Sequence, residues 1–183
     1  MGHKRILGKT TDFITGREIT DTDDERLRQR LARFLVEEKG YSKEDIEVKR
    51  RLEFTIDDKK VLSMVDFVVR IHGMSCMVIR YGPGSLVTRE RPALASARIL
   101  EPAPVPLTVV TNGEDAEVLD TLKGDMIGTG LGAIPAKKTL EQRGAITLPP
   151  LSAKQLETEK RIVSAYDWLE HSLECDDDWC TTE

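Results

Sequence analysis

The chain has 183 residues, 39% hydrophobic and 32% charged, with a net charge of −5. That length suits one domain with its own core, and the composition is ordinary for a globular protein. No apolar run reaches membrane-span length and no signal peptide precedes the first charges, so a cytoplasmic protein without membrane contact is expected. Three Cys without a regular framework argue against a disulfide scaffold and fit a reducing compartment. The charge is uneven. Lys/Arg against Asp/Glu count 15 to 14 in residues 1–60, 5 to 3 in 61–110 and 7 to 15 in 111–183. The C-terminal third therefore repels a phosphate backbone, and any basic footprint for nucleic acid is local.

Residues 1–20 are polar, with Gly and Thr, and read as an N-terminal arm or loop. Thr22-Asp23-Asp24-Glu25 is a capping box, followed by Leu27, Leu31, Phe34 and Leu35 at helical spacing. Gly40 ends that helix, and Arg26, Arg28, Arg30 and Arg33 decorate it as a solvated face. Ile46, Val48, Leu52, Phe54 and Ile56 alternate as a half-buried strand. Asp57 to Lys60 turn the chain into a second strand, Val61 to Ile71. Strict alternation there puts Val65, Phe67, Val69 and Ile71 on one face and Met64, Asp66, Val68 and Arg70 on the other. His72-Gly73 makes the next turn, and a third strand runs through Met77 to Tyr81 into Gly82-Pro83-Gly84.

Arg89-Glu90-Arg91-Pro92 leads a helix over Ala93 to Glu101, with Pro in its first turn. Pro102, Pro104 and Pro106 make a stiff link. Leu107 to Thr111 is apolar and β-branched, a buried strand suited to parallel pairing, and Asn112-Gly113 is a turn. A small hairpin follows, with Val118-Leu119 and Met126-Ile127 around Lys123-Gly124. Residues 136–151 read as a linker with one short helical stretch. Ser152 to Gln155 form a second capping box. The amphipathic helix over 152–174 then places Leu156, Ile162, Val163, Tyr166, Leu169 and Leu173 on one broad face, for packing on the sheet or binding a partner. Residues 175–183 are an acidic tail.

The helix with Arg28-Gln29, then Gly40-Tyr41, Asp66, Gly82-Pro83 and Thr111-Asn112-Gly113, in this order from about Asp23 to about Pro135, resembles the N-terminal domain of type I restriction enzyme R subunits. That domain belongs to the PD-(D/E)XK nucleases. The resemblance implies an α/β (α+β) fold, a restriction-endonuclease-like mixed sheet with flanking helices, over residues 21–135. In that family the first hairpin strand carries an Asp, and the second carries Glu-x-Lys before a small residue and Pro. Aligned on Pro83, the Asp is Asp66, the Glu position falls on Ile79 and the Lys position on Tyr81. Ile79 offers no oxygen to a metal, and Tyr81 is neutral near pH 7. The resemblance therefore implies a stand-alone, catalytically inactive relative that acts as a nucleic-acid-binding or protein-interaction module. No cofactor and no metal are expected.

Two alternatives keep other functions open. An active Mg²⁺-dependent endonuclease would use Asp66 with a displaced carboxylate, Glu53 on the neighbouring strand, Glu25 on the first helix, or Glu90. Each of these also suits an ordinary surface acid. A structural protein would dimerise or bind a protein partner through its C-terminal helix. Arg80, Tyr81, Arg89 and Arg91 are the candidate nucleic-acid contacts, with Arg forks for phosphate and a Tyr ring for a base, giving weak DNA binding. His171, Cys175 and Cys180 have soft ligands but lack a fourth for a closed zinc site. No Walker loop, dinucleotide fingerprint or Ser/His/Asp arrangement is present.

Overall fold

The computed structural model describes residues 6–144 and 146–173, with side chains of the last helix described as far as Tyr166. Two strands, β1 (Ile6–Thr11) and β2 (Glu18–Thr22), pair as an antiparallel hairpin, so the segment expected as an arm is ordered β-structure. Asp12 organises its turn, accepting from the Thr15 amide and hydroxyl. The same carboxylate accepts from Gln29 on the following helix, and the Phe13 amide donates back to Gln29. Turn chemistry, Gln29 and the packing of Phe13 and Ile14 on the core thus dock a hairpin that shows no strong apolar alternation.

Helix α1 (Asp23–Glu37) starts where the capping box puts it: the Thr22 hydroxyl accepts the Glu25 amide at 3.1 Å. Gly40, in the left-handed region at φ +76°, lets the chain leave it. A six-stranded sheet follows in the order β3-β4-β5-β6-β7-β8. Its strands are β3 (Ile46–Ile56), β4 (Lys59–Ile71), β5 (Met74–Tyr81), β6 (Leu107–Thr111), β7 (Ala116–Asp120) and β8 (Met126–Thr129). All neighbours are antiparallel except β5 and β6. The β3–β4 turn has both Asp57 and Asp58 at positive φ, and the β4–β5 turn both His72 and Gly73. That pattern matches the right-handed twist of the strands it joins.

Helix α2 (Val87–Ile99) forms the crossover between the parallel pair. It begins six residues before the expected Ala93, so Pro92 lies inside it, where one intrahelical bond is forgone. The Ser96 hydroxyl donates to the Pro92 carbonyl one turn back. Helix α3 (Lys137–Arg143) occupies the segment expected as a linker, and Leu140 enters the core. Helix α4 (Ala153–Leu173) closes the described chain.

The sheet separates two cores. On one side Leu31, Ala32 and Leu35 of α1, with Leu140, cover Phe67, Val69, Met77, Ile79, Val109 and Val118. On the other, Ala95 and Ala97 of α2 and Leu100 just after it, with Val163 of α4, cover Leu52, Val65, Val68 and Val78. β6 is buried along its whole length, as a strand covered on both faces should be. Among the described residues no helix is long and apolar enough to cross a membrane.

The strict alternation expected for β4 fails at one step. Val65 joins the α2 side with Val68, whereas Phe67, Val69 and Ile71 join the α1 side. The β3–β4 register passes from Val48–Phe67 to Arg50–Val65 and skips Lys49, which faces Asp66 with φ at +52°. A residue in the left-handed region bends the strand, and this irregular step brings both Lys49 and Asp66 to α1.

Candidate functional site

Asp66 and Ile79 lie on neighbouring antiparallel strands, with Ile79 opposite Phe67. The β4–β5 backbone ladder has its last pair there. One residue beyond, the Asp66 carboxylate takes the place of a backbone carbonyl: its Oδ2 accepts the Tyr81 amide at 2.8 Å. Its Oδ1 accepts Arg28 Nε at 2.6 Å, and the Asp66 side chain is only 12% exposed. A single carboxylate thereby extends the sheet and anchors α1. On its other edge β5 continues to pair with β6, where Tyr81 meets Thr111.

Arg28 is the centre of the cluster. Burial alone would lower its pKa, but Asp66, Glu25 and Asp24 outweigh that and hold it charged. Its guanidinium carbon lies 4.9 Å from the centroid of the Tyr81 ring. The Tyr81 hydroxyl donates to Asp24 at 3.2 Å. Burial pushes that phenol up to about 12, and Asp24 reinforces the shift, so Tyr81 stays a neutral donor at working pH. Glu25 is buried; it accepts Lys49 Nζ at 3.0 Å and Gln29 at 2.9 Å, and lies 4.0 Å from Arg28. Three carboxylates therefore surround two cations and a phenol.

Of the residues singled out in the sequence, the fold brings Asp66, Tyr81 and Glu25 into this cluster. Ile79 is 0% exposed and lies in the apolar core on the α1 side of the sheet. Glu53 is exposed, opposite Leu62 and well along β3 from Asp66. Glu90 neighbours Glu117, whose carboxyl is raised first by burial and then by Glu90. Arg80 turns to the other face of β5, toward the hydroxyls of Ser63 and Ser96. Arg89 folds across Gly82, where a side chain would clash with its guanidinium, and donates to the Pro83 carbonyl. Arg91 pairs with Glu159 of α4. Arg80, Tyr81 and Arg89 nevertheless line one shallow depression with Pro92, Ala93 and Tyr166. Cys175, Cys180 and the side chain of His171 lie outside the described residues.

In the sequence Arg28 stands out only through the Arg28-Gln29 pair of the family resemblance, otherwise as part of a solvated face, and neither Lys49 nor Asp24 is marked as a site residue. One signal was available for Arg28: it follows Glu25 by three residues, on the same helix face. No local pattern marks Lys49, because its role depends on a skipped ladder position.

The Thr111-Asn112-Gly113 turn closes the site. Gly113, at φ +89°, is held by the Thr111 hydroxyl, and a side chain there would press on Leu27 and the Tyr81 ring. The Gly82 amide donates to the Thr111 carbonyl at 3.0 Å.

The fold and cluster thus define an α+β domain built on a mixed sheet, with a carboxylate at the end of an antiparallel hairpin and a parallel strand added beyond it. Residues 23–135 match the family of the type I restriction enzyme R protein N terminus, and the chain belongs to that family. Among curated proteins and among solved structures nothing matches.

Proposed function

We propose that this chain is a non-hydrolytic member of its family, a cytoplasmic binding domain that engages nucleic acid through phosphate contacts. The observation that carries this reading is the state of Asp66. Mg²⁺ needs several hard oxygen ligands in near-octahedral geometry. Both Asp66 oxygens are occupied, one by Arg28 and one by a backbone amide. The neighbouring position 79 presents an aliphatic side chain, and Tyr81 replaces an ammonium with a phenol. The residues do not fit a divalent ion, and Arg28 already supplies the positive charge that Asp66 balances. What remains is a rigid scaffold with arginines near its surface on α2.

One observation favours a second reading, an active endonuclease. Glu25 and Asp66 flank the same arginine. If Arg28 swung aside, those two carboxylates would be the displaced pair. Dimerisation through α4 has less support, because its first half packs on α2 of its own chain.

The test combines calorimetry with a cleavage assay. Titration with Mn²⁺ to millimolar concentration should give no heat that Asp66→Ala removes. A labelled DNA duplex should be retained at low salt, with steep salt dependence and no cleavage. Metal-dependent nicking that disappears in both Asp66→Ala and Glu25→Gln would replace this reading with the active enzyme.

A further inference from the structure

The helix that covers α2 lies outside the family-matched region. Its contact with α2 centres on a single carboxylate. Glu159 Oε1 accepts Arg98 at 2.9 Å and its Oε2 accepts Arg91 at 2.5 Å, with Glu159 9% exposed. Arg91 and Arg98 are two turns apart on one face of α2. Arg98 is fixed further by donating to the carbonyls of Thr121 and Leu122. Arg80, held toward Ser63 and Ser96, and Arg89 border the same region, and Tyr166 of α4 closes the depression they line.

Among the described residues, the apolar part of this contact is small. Val163 is buried and Ile162 packs beside it, but Leu156 is 36% exposed. The other described contacts involve charged side chains: Arg161 grips Asp57 with two hydrogen bonds, and Lys160 lies 5.7 Å from the Phe54 ring centroid in a cation–π contact. The exposed members of this contact, Arg91 and the Arg161–Asp57 pair, weaken with salt and yield to a competing anion, whereas the Arg98–Glu159 pair is largely buried. In the sequence, residues 167–183 carry seven Asp/Glu and no Lys or Arg.

We propose that Arg91 and Arg98 form a phosphate-binding surface on α2, and that α4 occupies it through Glu159, so that α4 and nucleic acid compete for the same two guanidiniums. A carboxylate held by two arginines presents the oxygens that a bridging phosphate would present. The family-matched domain then binds nucleic acid weakly while α4 is seated and more strongly once it lifts. This inference rests on the nucleic-acid reading above and adds its location and its regulation.

The experiment uses the full chain and a 20-base-pair DNA duplex at fixed low ionic strength. Hydrogen exchange is followed with and without the duplex, and affinity is measured for wild type, Glu159→Gln and Arg91→Glu/Arg98→Glu. Bound duplex should speed exchange across residues 153–166 and leave α1, β4 and β5 unchanged. Glu159→Gln should tighten binding roughly five- to tenfold by raising the open fraction, and the double charge reversal should abolish it. If wild type and Glu159→Gln bind equally, or duplex binds while α4 keeps its protection, competition is wrong and nucleic-acid binding stands. If neither protein retains duplex at low salt, both readings fall. The wild-type exchange measurement decides the matter even if a substitution disturbs folding.

Discussion

Two ionic clusters hold this molecule together, and they differ in kind. Around Asp66, a buried carboxylate, a guanidinium and a backbone amide tie α1 to the strands where the ladder ends. Around Glu159, a buried carboxylate and two guanidiniums tie α4 to α2. The first lies inside the family-matched region and has the fully buried Ile79 in the core beside it. The second crosses from that region to a helix outside it, over a small apolar contact among the described residues. Removing the first should cost the fold; removing the second should cost one contact. Both carboxylates are largely buried; the difference is that Asp66 also completes the strand pairing by accepting the Tyr81 amide, whereas Glu159 joins two helices only.

The largest expected effect tests the floor of the first cluster. Ile79→Glu puts a carboxylate where no water reaches, and should cost about 4 kcal/mol or more in urea unfolding. Ile79→Val should cost about 1 kcal/mol. If both variants lose the same small amount, position 79 is not the closed apolar site described above. Next, Asp66→Ala leaves Arg28 and the Tyr81 amide without their acceptor and should cost roughly 3 kcal/mol. Asp66→Asn should cost less, because its amide oxygen can still accept the Tyr81 N–H.

Glu159→Gln should cost only about 1 kcal/mol of global stability. Moving to molar salt should loosen α4 in the wild type while leaving the exchange of β4 and β5 amides unchanged. Equal salt sensitivity in both regions would erase the contrast drawn here.

The smallest effect is in acid, at the hairpin and at α3. For Asp12, burial raises the pKa, but the Thr15 amide, Gln29 and the Thr15 hydroxyl more than offset it. Asp21 is lowered mainly by its hydrogen bond with Arg26. Asp45 is lowered by Lys137 and Ser42 against the opposing effect of burial. With folded values below the unfolded one, the unfolded chain takes up protons first as pH falls. Their contribution is complete above about pH 4 and is lost as pH drops through the folded values. Stability measured from pH 7 to 2 should be flat and then fall, with a shallower fall in Asp12→Asn.

The order of elements from α1 to β8 was legible in the sequence, because caps, alternation and paired turn residues act locally. Thr22, Asp57-Asp58 and His72-Gly73 each set a boundary by their own backbone chemistry. The N-terminal hairpin was not legible, since its docking depends on Gln29 well downstream. The start of α2 was misplaced because Pro92 reads as a first-turn residue, although the helix tolerates it in its second turn. For the candidate site, the hairpin pairing beside Asp66 followed from the short His72-Gly73 turn. The partnership with Arg28 did not, because alternation assigned Asp66 to the wrong face. Only the skipped ladder position at Lys49 redirects it, and a skip leaves no periodic trace.

The amide-to-carboxylate bond between Tyr81 and Asp66 has a consequence for how relatives of this chain are sorted. An aspartate that terminates a ladder and anchors a helix is worth keeping for stability alone, whatever happens to the chemistry beside it. The residues around it can then vary while the aspartate persists. An aspartate at this place in a relative is therefore a marker of the scaffold.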